Sequence, residues 1–301
     1  MTINKGIYFT IIATILLSIR PIIVKLCYLE NIMVNDLLYY RFLIAAPLIL
    51  IFSIFAKGIK ANLEILKNKK ILINIFFAGF FGYYLATMTD FYSLSLIDAN
   101  INRIILYSFP IYVILINFIK NKEKPSPKFI IIFLIIEICL FIIFNDSKNN
   151  HKIISQLGII LAFISAISYA CYIIINQETG KKISSIIFTN YAILFSFLFL
   201  NIHFFSINPP NNIFIYSQKA IILLIMLAIF CTFLPLLLIS EAIKLIGANE
   251  ASLINLSGPI LTLIFSSLIL KESLSSTQLI ACLIVITTIA SLKFNLKLRK
   301  H

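Results

Sequence analysis

The sequence predicts an all-α, polytopic membrane protein with ten transmembrane helices arranged as two inverted five-helix repeats. Three observations carry this expectation. The 301 residues are 60% hydrophobic and only 12% charged, whereas a soluble domain has about 25% charged residues, so the excess apolar surface needs a bilayer to face. The apolar residues fall into runs of roughly 20, the length that crosses about 30 Å of hydrocarbon. The chain also matches itself when it is shifted by 149 residues.

In chain order the runs are 6–27, 36–56, 71–94, 99–119, 128–145, 155–176, 185–205, 219–244, 249–270 and 276–294. The first follows Lys5. It is longer than the 7 to 15 residue apolar core of a signal peptide and lacks a small-x-small cleavage site, so it reads as a membrane anchor and a working helix. The second opens at Tyr40-Arg41-Phe42, and the third ends shortly after Asp90. The fourth and ninth carry the internal prolines Pro110 and Pro259, with Glu123 and Glu272 just beyond their ends. Glu137 lies near the middle of the fifth, Tyr169 and Tyr172 lie in the sixth, and Glu241 and Lys244 form a helical pair near the end of the eighth. No connection is long enough to fold as a separate domain. Function must therefore lie between the helices.

Orientation follows from Lys and Arg in the loops. With the N-terminus inside, 17 of the 25 basic residues fall in inner segments and 5 in outer ones, while Arg20, Arg41 and Arg103 lie within spans. This bias predicts that both termini are cytoplasmic, in the inner membrane. It also accounts for most of the +13 net charge without nucleic acid, because inner lysines sit against an anionic leaflet. The five cysteines are scattered through apolar runs with no C-x-x-C, the pattern of buried free thiols rather than of a disulfide framework.

The internal match lays Leu96-Ile97-Asp98-Ala99-Asn100 over Leu245-Ile246-Gly247-Ala248-Asn249. It continues with Ser108, Pro110 and Ile111 over Ser257, Pro259 and Ile260, and Lys122-Glu123 over Lys271-Glu272. Ile and Leu pair cheaply in so apolar a chain, but proline, asparagine and a Lys-Glu pair in one ungapped register do not. The repeats are expected at 1–147 and 148–301. Five spans per repeat is an odd number, so the second half enters the membrane inverted, an arrangement associated with secondary transporters whose site lies between the repeats.

The segments DANINRIILYSFPIYVILINFIKNKE and GANEASLINLSGPILTLIFSSLILKE, with the Tyr40-Arg41-Phe42 start of span two, resemble the EamA-type members of the drug/metabolite transporter superfamily. The resemblance covers the whole chain. It implies a ten-helix inner-membrane transporter that moves a small organic metabolite by alternating access between spans one to four and six to nine. It implies no cofactor, and it leaves a homodimer open.

Ionisable groups inside spans cost about 2.5 to 3.5 kcal/mol each and mark a pathway or a buried pair. Arg20, Arg41, Asp90 and Arg103 fall roughly 6 to 10 Å below the outer interface at 1.5 Å per residue, and they are the candidate substrate-binding charges. Each arginine could instead snorkel outward, and Arg41 could serve as a structural partner of Asp90. The positions equivalent to Arg41 and Arg103 are Asn190 and Ser252, so repeat packing does not demand the charge. Tyr107, Tyr169 and Asn255, with Tyr112 and Tyr172, are candidate cavity-lining groups. Pro21, Pro110 and Pro259 are candidate hinges, with a simple kink as the alternative. Glu137 is a candidate proton-coupling group, with a permanently neutral, hydrogen-bonded acid as its alternative.

No phosphate loop, H-E-x-x-H or convergent acid, base and metal set is present, which disfavours an ATP-driven pump and a membrane-embedded enzyme acting on a lipid or small molecule. Arginines favour a carboxylate or phosphate, and Asp90 offers a partner for an amine. Amino acids and conjugates such as S-adenosylmethionine present both features.

Overall fold

A computed structural model describes residues 2–97, 102, 105–121, 127–145, 155–207 and 209–270, with 276–277, 280, 283–284 and 287–288. The helices are α1 (Thr2–Leu29), α2 (Val34–Lys67), α3 (Lys69–Ala78), α4 (Ala86–Leu96), α5 (Phe109–Asn121), α6 (Pro127–Asn145), α7 (Gln156–Gly180), α8 (Ser185–Ile207), α9 (Gln218–Ala228), α10 (Leu234–Ile246), α11 (Ala248–Asn255) and α12 (Gly258–Leu270). The wider π-helical turns Gly79–Leu85 and Ile229–Phe233 join α3 to α4 and α9 to α10. Among the described residues, six helical runs are long and apolar enough to cross a bilayer. The protein is all-α and polytopic.

The helices begin where short polar side chains can take the first unpaired amides. Ser155 accepts from the Gly158 amide, Ser217 from Ala220 and Asn68 from Ile71. Inside α1, Thr10, Thr14 and Ser18 donate back to the carbonyls of Gly6, Thr10 and Thr14. These bonds satisfy the hydroxyls within the span and place a small-residue stripe on one face. On α7, Ala162, Ala166 and Ala170 form a second stripe with no exposed surface. Small residues let helix backbones approach closely. Accordingly α1 packs on α10 and α12, and α7 packs on α4 and α5. A Cβ added at Gly6 would lie 2.6 Å from Ile246 Cγ2, and one added at Gly158 would lie 2.6 Å from Ile97 Cγ2. Only glycine permits either approach.

The prolines of the fourth and ninth runs do not sit at mid-helix. Each is the second residue of a new helix, α5 or α12, after a break at Tyr107-Ser108 or Leu256-Ser257. Proline is tolerated there because a first-turn amide has no helical acceptor. The two breaks are built alike: Ser108 and Ser257 each donate through Oγ to the carbonyl three residues back, at 2.6 and 2.8 Å. Pro21, by contrast, lies within continuous α1, where it removes the amide that would bond the Leu17 carbonyl.

Helix α2 runs past the expected end of span two. It bends at Gly58, whose φ of 79° favours glycine, and the residues expected to form a solvated loop are helical to Lys67. On the opposite side, Asp36 accepts from the Asn211 amide at 3.0 Å, from Asn211 Nδ2 at 2.8 Å and from the Tyr216 hydroxyl. Lys219 pairs with Glu30 at 2.7 Å. These contacts clasp the α1–α2 connection to the segment before α9, and no pattern in the sequence announced them.

Candidate functional site

A cavity with about 860 Å³ of empty space, part of it open to solvent, lies where α1, α2, α4, α7, α11 and the two π-helical turns converge. The turns are central to its construction. A π-helical turn widens the helix and re-aims its side chains, and here Gly82 and Tyr83 from one turn and Cys231 and Thr232 from the other reach the lining. Arg20, Pro21, Arg41, Asp90, Tyr107, Tyr169 and Asn255 all line this cavity. Arg103 lies outside the described residues. Pro110, Pro259, Tyr112, Tyr172 and Glu137 are not among the lining residues.

The Arg41–Asp90 pair that the sequence left open as an alternative is not formed. Asp90 Oδ2 lies 3.5 Å from Arg20 Nη2, so its partner is Arg20 and not Arg41. That separation is long beside the 2.7 to 2.9 Å of a well-formed charged bond. Arg41 is 2% exposed, and its guanidinium carbon stands 4.6 Å from the Phe42 ring centroid and 5.5 Å from that of Phe91. Arg20 stands 5.1 Å from the same Phe91 ring. Phe91 therefore serves two cations at once, each within cation–π range. Of the nine side-chain atoms buried without a hydrogen-bond partner among the described residues, two belong to the cavity lining, Arg41 Nε and Asp90 Oδ1.

The remaining wall is polar at chosen points. Thr14 donates to Asn255 Oδ1 at 3.1 Å, and Ser165 donates to the Ala86 carbonyl at 2.7 Å. Tyr169 meets Phe109 edge-on at 5.0 Å. Behind the cavity, the Tyr83 and Tyr172 hydroxyls bond at 2.6 Å, Asn176 donates to Tyr172 at 3.2 Å, and Ser240 donates to Asn176 at 3.0 Å. This chain is buried and ties α7 to the first π-helical turn and to α10. A Cβ added at Gly82 would lie 2.4 Å from Tyr172 Cγ, so the absence of a side chain there lets the tyrosine close the cavity from behind.

Sequence reasoning overlooked Phe42, Phe91, Gly82, Thr87, Ser165 and Thr232. Phe42 and Phe91 were legible in principle, since each directly follows an intramembrane charge. The others depend on the π-helical turns and on helix contacts. Among the described residues, no group of three or more His, Cys, Asp or Glu side chains is placed to hold a metal ion.

The EamA-like transporter family matches the chain twice, over residues 4–145 and 156–293. The uncharacterized transporter YcbK of Bacillus subtilis (strain 168) is 27% identical over 283 residues, covering 92% of this chain and 89% of that one. An uncharacterized transporter of Buchnera aphidicola subsp. Schizaphis graminum is 25% identical over 234 residues, covering 78% and 76%. A crystal structure of a protein 12% identical superposes with a TM-score of 0.75 over 95% of this chain and 96% of that chain, a likeness of fold. A polytopic all-α chain built around a charged intramembrane cavity, matched by one family along nearly its whole length, is a member of the EamA-like transporter family, a multi-pass membrane transporter of the drug/metabolite superfamily that moves a small molecule.

Proposed function

We propose that this transporter carries a zwitterionic metabolite, an amino acid or a related amine bearing a carboxylate or phosphate, with S-adenosylmethionine as one solute of that description. The observation that carries the reading is that two oppositely charged side chains lining one cavity each bury one atom without a hydrogen-bond partner, Arg41 Nε and Asp90 Oδ1. A buried polar group without a partner costs about 1 to 3 kcal/mol, more if charged, and persists where a ligand completes it. A carboxylate accepts from Arg41 while an ammonium donates to Asp90. The long Arg20–Asp90 contact yields as the second guanidinium turns to the ligand's anionic end.

Transport proceeds by alternating access of two inverted five-helix repeats, 1–147 and 148–301, in the inner membrane with both termini cytoplasmic. The family's two separate matches support the duplication. So do the reciprocal contacts of Gly6 and Gly158, the paired π-helical turns and the paired serine-bonded breaks. Reporter fusions after Lys152 and Lys182 are expected to lie outside and inside respectively, and the reverse pattern refutes the topology.

The substrate reading is tested by thermal shift of the purified protein against amino acids, their amides and their deaminated analogues. Only compounds bearing both charges are expected to raise the transition temperature. A proteoliposome flux assay then establishes translocation. Equal shifts from the deaminated analogues remove the role given to Asp90.

A further inference from the structure

We propose that residues 59–67 form an interfacial helix that binds anionic phospholipid at the membrane surface, its apolar side in the acyl boundary and its lysines on the headgroups. The elbow at Gly58 breaks the direction of α2 and is stapled in place. Ser53 donates to Asn62 Oδ1 at 2.7 Å, Asn62 Nδ2 donates to the Gly58 carbonyl at 2.9 Å, Asn190 donates to Asn62 Oδ1 at 3.2 Å, and Tyr191 donates to the Asn62 carbonyl at 2.8 Å. With the bond from Asn62 Nδ2 to the Ser53 carbonyl at 3.2 Å, the turn is fixed by five side-chain hydrogen bonds and presents a defined surface.

Beyond the elbow the helix has three faces. At about 100° per residue, Asn62 and Ile65 point to the protein and are buried. Ile59, Leu63 and Leu66 share a second face and are 59%, 53% and 48% exposed, and Phe55, just before the elbow, is 87% exposed. Lys60 and Lys67 share the third face with Glu64, and Lys57, Lys69 and Lys70 flank the helix, all exposed. Five lysines against one glutamate, beside an apolar stripe at the end of a membrane span, match a leaflet of anionic headgroups over hydrocarbon. Neither feature alone selects an occupant. A water-facing helix has no use for the apolar stripe, and an acyl boundary without anionic headgroups has no use for the lysines.

The chain contains no tryptophan, so Leu63→Trp creates a single reporter. In vesicles, its fluorescence is expected to be quenched by brominated phospholipid and protected from acrylamide. Brominated phosphatidylglycerol is expected to be preferred over brominated phosphatidylcholine by about fivefold, corresponding to about 1 kcal/mol. The preference disappears when Lys57, Lys60, Lys67, Lys69 and Lys70 are all changed to Gln. It also falls with added salt in the lysine-bearing reporter, a measurement that needs no further substitution. Quenching by acrylamide without quenching by brominated lipid overturns the proposal by placing the helix in water. Protection from both quenchers overturns it by placing a protein surface there, and equal quenching by the two brominated lipids overturns the headgroup assignment.

Discussion

Replacing Arg41 with Met separates a ligand-binding charge from a structural one. Arg41 is buried with Nε unpaired, and its guanidinium stands against the faces of Phe42 and Phe91. Removing the unpaired donor relieves about 1 to 3 kcal/mol, and removing the charge relieves a further desolvation cost. Two cation–π contacts, worth about 0.5 to 2 kcal/mol each, are lost, while Met preserves much of the length and apolar packing. Stability without ligand is thus expected to hold or to rise by up to about 2 kcal/mol. Ligand affinity moves the other way. A charged hydrogen bond worth about 2 kcal/mol corresponds to roughly 30-fold in Kd. A ligand at 100 times its original Kd stabilises the parent by about 2.7 kcal/mol and the variant by about 0.9 kcal/mol. Denaturation of both proteins with and without ligand reads all four values. A variant that loses more than about 2 kcal/mol without ligand, yet keeps the full ligand-induced shift, refutes the argument and makes Arg41 structural.

Gly82→Ala places a Cβ against the Tyr172 ring and is expected to cost about 1 to 3 kcal/mol, as overpacking does; a change below about 0.5 kcal/mol in thermal denaturation shows that the back of the cavity is pliable. Arg20→Ala, which strips Asp90 of its partner, is expected to lower transport at least about tenfold, the equivalent of about 1.4 kcal/mol, and an unchanged rate in a normally expressed variant counts against the site. Glu137→Gln is expected to retain both counterflow and pH-gradient-driven uptake, since Glu137 lies on α6 away from the cavity lining; loss of gradient-driven uptake alone identifies it as the proton carrier. Hydrogen bonds from Lys219 and Ser217 hold the Glu30 carboxyl below its ordinary value of 4.5. The contacts of Glu30 with Lys219 and Ser217 therefore make their full contribution above about pH 4.5 and lose it as pH falls through the lowered value. Glu30→Gln is expected to abolish that acid-side dependence in a stability titration.

Much of the fold was legible because a bilayer imposes its own length and polarity on every span. The helices α1, α7 and α8 match the expected runs within a few residues. The end of α2 was not legible, because sequence hydropathy falls at Lys57 whether the helix ends there or turns and continues. The bend at Gly58 and the hydrogen bonds around Asn62 show that it turns and continues to Lys67. Where the helices of the fourth and ninth runs begin was not legible, since an X-Pro step in an apolar run is compatible with either a kink or a fresh helix start. Ser108 and Ser257 decide for the helix start by bonding the last turn before each break.

By itself the sequence determined the solvent, the helical class and the family, because hydropathy, span length and repeated motifs are properties of the chain read in order. It also marked Arg20, Arg41 and Asp90, since a charge in hydrocarbon is costly wherever it points. Which of these charges pair, and which of their atoms stay unpartnered, was decided by tertiary structure alone. The Phe91 ring lies within 5.5 Å of two guanidiniums from different helices, and Asp90 reaches Arg20, 70 residues away. Coulomb energy depends on separation in space, and the separations are set by helix packing and by two π-helical turns that no local pattern announces.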